Sequence, residues 1–149
     1  MEREIMMALG HVDHAHKHMA GRLLEGIVSR GQPPVMRYLE HHDGCIQRDI
    51  AENCHVKAAS VSSVLDNMEQ CGYISRQALE GDRRAQRVYL TEEGRSKCEM
   101  VKGVFRRLEE QCLAGIGDDE LAAFRGTLEK IIANMRKMDG EKEGERADD

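Results

Sequence analysis

His11, His14 and His18 stand at i, i+3 and i+7, a spacing that puts three imidazoles on one face of a helix. With His42 they are the candidate ligands for a zinc-like metal, which favours imidazole nitrogen. A solvated helix face is the plainer account, because a metal site also needs outer partners that orient each ring. Asp82, Arg83 and Arg84 suggest a different chemistry. Two guanidinium groups on a short charged loop suit the minor groove of DNA, where negative potential is concentrated. Five cysteines, Cys45, Cys54, Cys71, Cys98 and Cys112, are odd in number and lack C-x-x-C spacing. They read as reduced thiols, with burial the expectation for each. No nucleophile with its base and no phosphate-binding loop falls in a recognisable arrangement, so a non-enzymatic chain without a cofactor is expected.

Periodicity locates the elements that would position these groups. Residues 5–28 carry apolar positions at helical spacing, ending at Ser29-Arg30-Gly31. Pro33 and Pro34 suit the first turn of a second helix, which buries Val35, Met36 and Leu39 and stops at Asp43-Gly44. Two further helices, 46–54 and 57–71, are joined at His55-Val56. In the second of them Val61, Leu65 and Met68 form an inward stripe with Val64 beside it. Its other side begins with Ala58, Ala59, Ser60, Ser62 and Ser63. Small side chains there allow close approach to base edges, and hydroxyls bond to bases or phosphates. A low-bulk surface helix is the competing account.

Gly72 ends that helix, and residues 73–76 and 87–90 read as two strands of a hairpin whose charged tip spans 80–85, with Gly81 allowing the turn. Thr91 can cap a following helix, with Glu92 and Glu93 in its first turn. Cys98, Val101, Phe105, Leu108 and Cys112 then recur at a and d spacing. Beyond Gly115-Ile116-Gly117 the same spacing returns in Leu121, Phe124, Leu128, Ile131, Met135 and Met138. Such seams pack against each other or against a second copy. With aromatics at 3% and no Trp, the core is expected to be aliphatic.

A formal net charge of −5 alone opposes nucleic-acid binding, which needs local positive charge. Residues 139–149 hold six acids against two bases, so this stretch supplies −4 of the total. From Arg83 to Arg107 there are eight Lys or Arg against three Glu, a local basic footprint on the hairpin and the helix after it. No apolar run approaches the ~18 residues of a membrane span, and the first residues lack a signal-peptide core. A cytoplasmic chain with no membrane partner is expected.

In this order the residues resemble the MarR family of bacterial transcriptional regulators, over nearly the whole chain and most strongly from Gln47 to Gly94. Gln47-Arg48-Asp49-Ile50-Ala51 is similar to the family's first motif helix. Ser60-Val61-Ser62 sits where its recognition helix carries a Thr/Ser-Val-Ser-like run, and Met68-Glu69 with Gly72-Tyr73-Ile74-Ser75-Arg76 resembles the entry to its wing. Asp82-Arg83-Arg84, then Val88-Tyr89-Leu90-Thr91 and Gly94, resembles the wing signature D-x-R followed by V-x-L-T-x-x-G.

The resemblance implies a mainly α (α+β) fold in a single domain over 1–149. A winged helix-turn-helix lobe with a two-stranded hairpin wing would occupy 32–94, dimerisation helices 1–31 and 95–138, and a disordered acidic tail 139–149. It further implies a ligand-responsive homodimeric repressor on a double-stranded pseudo-palindromic operator, with half-sites about one DNA turn apart. Lys57, Ala59, Ser60, Ser62, Ser63, Arg76, Arg83, Arg84 and Arg87 would contact DNA. Among these, Lys57, Arg76 and Arg87 are assigned to the backbone and Arg84 to the minor groove, while Asp82 braces the wing. The implied effector is a small aromatic or lipophilic acid. Two departures stand out: Ile46 and Lys57 occupy helix-cap positions where Ser or Thr is usual. The first cysteine, Cys45, lies beyond the N-terminal helix used by redox-sensing members, so that route is not supported. Two alternatives remain open. One is a metal-responsive regulator using the histidine-rich helix, and the other, motivated by the overall acidity, is a winged-helix protein-interaction module without DNA binding.

Overall fold

Each run of helical spacing becomes a helix, the first stopping at Leu23 rather than Val28, and the apolar stripes of the middle helices are the ones that find a buried surface. The computed structural model describes residues 2–54 and 56–145, with side chains described over 4–54, 56–81 and 85–140. Among these residues the order is α1 (Glu2–Leu23), α2 (Gln32–His41), β1 (Cys45–Ile46), α3 (Gln47–Asn53), α4 (Ala58–Gln70), β2 (Ile74–Leu79), β3 (Asp82–Leu90), α5 (Glu92–Cys112) and α6 (Asp118–Glu145). The chain divides into two compact units, residues 1–109 and 110–149.

In the first unit α3 and α4 form the helix-turn-helix, and β2 and β3 form an antiparallel hairpin that pairs Ile74 with Leu90 and Arg76 with Val88. The core is aliphatic, as composition required. Val35, Met36 and Leu39 of α2, Ile50 of α3, and Val61, Leu65 and Met68 of α4 are buried against Ile74, Val88 and Leu90 of the sheet. Full burial of each such side chain contributes about 1.5–3 kcal/mol, so this cluster holds the lobe together. From α5, Cys98, Val101, Val104 and Leu108 join the buried set, and Phe105 is half-buried. Val104 thus takes a buried place that the a and d spacing had assigned to Phe105, whose ring stacks on His16 at 6.0 Å.

Several elements differ from the sequence expectation. A third strand, β1, pairs with β3 through Cys45–Val88 and Ile46–Arg87, so the sheet has the order β1-β3-β2. Two residues give too little pattern to be read as a strand, and only the free edge of β3 recruits them. The hairpin tip is shorter than expected. Glu80 and Gly81 make the turn, with Gly81 at φ 85°, and Asp82, Arg83 and Arg84 belong to the backbone of β3 rather than to a loop. The register shifts between Ala78 and Leu79, beside the turn. In the second unit α6 runs to Glu145, past Met138, so residues 139–145 are helical rather than disordered. That stretch contains no proline, and its three Glu and one Lys favour a helix that Gly140 and Gly144 oppose; residues 146–149 lie outside the described residues. Cys71 and Cys112 are exposed in the single chain, against the expectation of burial.

The base of the wing meets α5 at a contact that requires glycine. A Cβ at Gly94 would lie 2.0 Å from the Tyr73 carbonyl oxygen. Thr91 caps α5 here: its Oγ1 accepts from the Gly94 N–H at 3.0 Å and donates to the Gly72 carbonyl at 2.5 Å. Its own N–H bonds the Tyr73 carbonyl at 3.0 Å. Because backbone on both sides leaves no room to adjust, Gly94→Ala is expected to destabilise the chain by about 3 kcal/mol, at the upper end of ordinary overpacking. The measurement is urea unfolding, read as a fall in midpoint at constant m-value; a midpoint within error of the wild type would contradict the contact.

Candidate nucleic-acid interface

Helix α4 presents one exposed face of small side chains near its N-terminus. Ala58, Ala59, Ser60 and Ser63 are exposed and Ser62 is half-buried, while the opposite stripe of Val61, Leu65 and Met68 is fully buried. Neither motif helix has a side-chain cap. Ile46 caps α3 and Lys57 caps α4 without a side-chain hydrogen bond, as their types predict. Lys57 is exposed at the start of α4, where its ammonium is free to meet a phosphate.

Three of the longer polar side chains of α4, Asp66, Asn67 and Glu69, are engaged within the protein. Gln32, the one buried polar side chain among the described residues, donates to Asn67 Oδ1 at 2.6 Å and accepts from the Ser29 N–H at 3.2 Å. Arg76, on β2, turns onto α4, donating through Nη2 to Asp66 at 2.6 Å and through Nε to Glu69. Arg87 donates to the Gly44 carbonyl at 2.9 Å. Asp43, read from sequence only as a helix stop, accepts from the Leu90 N–H at 2.8 Å and from Arg95 at 2.7 Å. Sequence offered no signal for Gln32 or Asp43, because their partners lie 35 and 47 residues away. The expectations for Arg83, Arg84 and Asp82 concern side chains outside the described residues; the backbone places all three at the start of β3, next to the turn.

The four candidate histidines, His11, His14, His18 and His42, do not assemble. Among the described residues no group of three or more His, Cys, Asp or Glu is placed to hold a metal ion. His11, His14 and His18 are exposed on α1. His42 instead stacks on Tyr38 at 4.3 Å, with Nδ1 3.1 Å from the Tyr38 carbonyl oxygen. Three of the five thiols, Cys45, Cys54 and Cys98, are held away from reactivity. Burial pushes Cys45 and Cys98 up to about 11, with Asp49 adding to the first and Glu40 to the second, and burial raises Cys54 as well.

A cavity of about 990 Å³ opens within the first unit, among α1, the connection after it, α2 and α5. Its walls combine apolar groups such as Ala20, Leu24, Met36 and Phe105 with Arg30, Arg37 and Arg106. None of these three arginines forms an ion pair among the described residues. Lys102, in contrast, is paired with Glu40 at 2.7 Å and Glu99 at 2.9 Å, and those bonds raise its pKa. An apolar chamber with uncommitted guanidinium groups suits an amphipathic anion.

Residues 28–85 match the sequence model of the MarR family. A Bacillus subtilis protein described as an uncharacterized HTH-type transcriptional regulator, YdgJ, is 28% identical over 109 residues, covering 73% of this chain. The match spans 64% of that relative's length. The crystal structure of a MarR transcriptional regulator from Methanosarcina mazei Go1 superimposes with a TM-score of 0.80 at 23% identity, over 91% of this chain and 99% of that one. The S. aureus MepR-DNA complex superimposes with a TM-score of 0.74 at 25% identity, over 87% of this chain and 97% of that one.

Two outcomes follow for the side chains described. Iodoacetamide at pH 7.5 should label exposed Cys71 well before Cys45 and Cys98, whose thiolates are scarce that far below their raised pKa values. Peptide mass spectrometry over time reads this, and equal rates would contradict it. Lys57→Ser supplies the missing cap and should raise unfolding free energy by about 0.5–1 kcal/mol while removing a cation from the start of α4. Thermal melting of the two proteins side by side checks the gain.

Proposed function

We propose that the chain is a regulator of the MarR family, whose model matches residues 28–85, and that it is a sequence-specific DNA-binding homodimeric repressor released by a small aromatic or lipophilic acid. The observation that carries this reading is the start of α4, exposed with alanines and serines only, beside a hairpin whose strand β3 begins with Asp82-Arg83-Arg84. The likeness to the S. aureus MepR-DNA complex supports the same reading. Lys57, Ala59, Ser60, Ser62, Ser63 and Arg87 are the proposed contacts in and beside the major groove. Arg83 and Arg84 are proposed for the minor groove, with Asp82 bracing them.

Dimer formation is supported by apolar surface that a single chain leaves in water. On α1, Ile5, Met6, Met7 and Val12 are exposed; on α6, Phe124, Ile132, Met135 and Met138 are. Exposed apolar residues gathered along one helix in this way mark association surfaces. The three unpaired cavity arginines support an acid as effector, while the dispersal of the histidines disfavours a metal. A twofold assembly would present two copies of α4 to a pseudo-palindromic site.

The test is binding to the DNA upstream of the protein's own gene, titrated over salt. Log Kd should rise linearly with log salt concentration, and Arg84→Ala should weaken binding about tenfold, as loss of a groove contact does. Salt-independent binding, or none to any fragment, would overturn the reading in favour of a protein-interaction module. In the same assay an aromatic monocarboxylate should weaken DNA binding and its uncharged amide should not.

A further inference from the structure

We propose that Arg76 is a positioning residue of the DNA-reading lobe: its guanidinium, closed on Asp66 and Glu69, holds the wing at a set angle to α4 and makes no phosphate contact of its own. The inference rests on the DNA-binding reading above and assigns a different role to an arginine that the sequence alone places on the DNA backbone.

The geometry argues in three steps. Arg76 lies on β2 opposite Val88, at the base of the hairpin, and spans seven and ten residues back to α4. Asp66 and Glu69 are i and i+3, so both carboxylates rise from one face of that helix. The arginine side chain is only 16% exposed, whereas the two carboxylates are 56% and 46% exposed. The cation thus lies beneath its acids, which stand between it and solvent. A residue delivering charge to a phosphate needs the reverse order. The cluster also sums to −1, which beside DNA is repulsive, so its place on this flank is explained by geometry rather than by charge delivery.

The hinge that the cluster would control is short. Helix α4 ends at Gln70 and β2 begins at Ile74, and between them Gly72 adopts φ 77°. Apolar packing of Met68 and Ile74 in the core sets a separation but, being non-directional, specifies an angle weakly. A planar guanidinium bonded through two of its nitrogens to two carboxylates is directional, and a lysine cannot reproduce it. A lobe whose wing and helix are already aligned loses less freedom when both engage the duplex together.

The deciding variant is Asp66→Ala/Glu69→Ala. Removing two acids beside DNA ordinarily tightens binding, because repulsion is lost. The positioning role predicts the opposite sign, about tenfold weaker binding at constant salt. Arg76→Lys should weaken binding similarly despite keeping its charge. Arg76→Gln should leave the salt slope unchanged, whereas loss of a phosphate contact lowers it by about one. Hydrogen exchange on the free protein supplies a readout without DNA: amides of 77–79 and 85–87 should exchange faster in the double variant, with those of α2 and α5 unchanged. Equal or tighter DNA binding by the double variant overturns the proposal, as does retained binding in Arg76→Lys with a reduced slope in Arg76→Gln. If the wild type binds no fragment, the DNA-binding reading fails instead, and unchanged wing exchange then overturns the positioning role on its own.

Discussion

Helix α5 begins on top of the peptide that closes the α4–β2 turn, and the rest of the lobe depends on that approach. Only hydrogen at Gly94 leaves space for the Tyr73 carbonyl, which also accepts the Thr91 N–H. Thr91 spans the junction, bonding Gly72 on one side and capping α5 on the other. Asp43 adds a second tie by accepting from Leu90 and Arg95 together. The end of α2, the end of β3 and the start of α5 are therefore joined within a few residues by directional bonds. The core of Leu39, Ile50, Leu65 and Val88 supplies the driving force for compaction, and this junction fixes which way α5 leaves the lobe.

A second consequence of the bonding pattern concerns what α4 has left to offer a partner. Three of its long polar side chains are already committed, Asn67 to Gln32 and Asp66 and Glu69 to Arg76. The residues that remain free near its N-terminus are alanines and serines. They bring little bulk and few hydrogen-bonding groups, so a duplex can approach the helix backbone closely. Cations around it come from neighbouring positions such as Lys57 rather than from the exposed face itself.

The connection between α1 and α2 touches both the cavity and α4. Ser29, Arg30 and Gly31 line the chamber, while Gly31 lies against Val64, whose methyl would be 3.0 Å from a Cβ there. Gln32, one residue on, holds Asn67 and the Ser29 N–H at once. A close-packed contact and a buried hydrogen bond transmit displacement better than a solvated loop does, because neither can yield without cost. The cavity and α4 thus meet through Gly31, which lines the one and lies against Val64 of the other.

Elements with strong local signals were legible from the sequence. The stripes of α2 and α4, the Thr91 cap, the glycine turns and the two uncapped motif helices follow from residue type and spacing over one or two turns, where backbone sterics and burial act locally. The features that needed tertiary structure are those whose partner is distant. Strand β1 exists because β3 offers an edge, and Gln32 is buried because Asn67 satisfies it. Arg76 reads as a free cation until Asp66 and Glu69 are seen above it. The histidines, regular in sequence, stay dispersed because helical spacing aligns side chains without bringing in further ligands from other elements. Spacing determines which face a group occupies; only packing decides what stands opposite it.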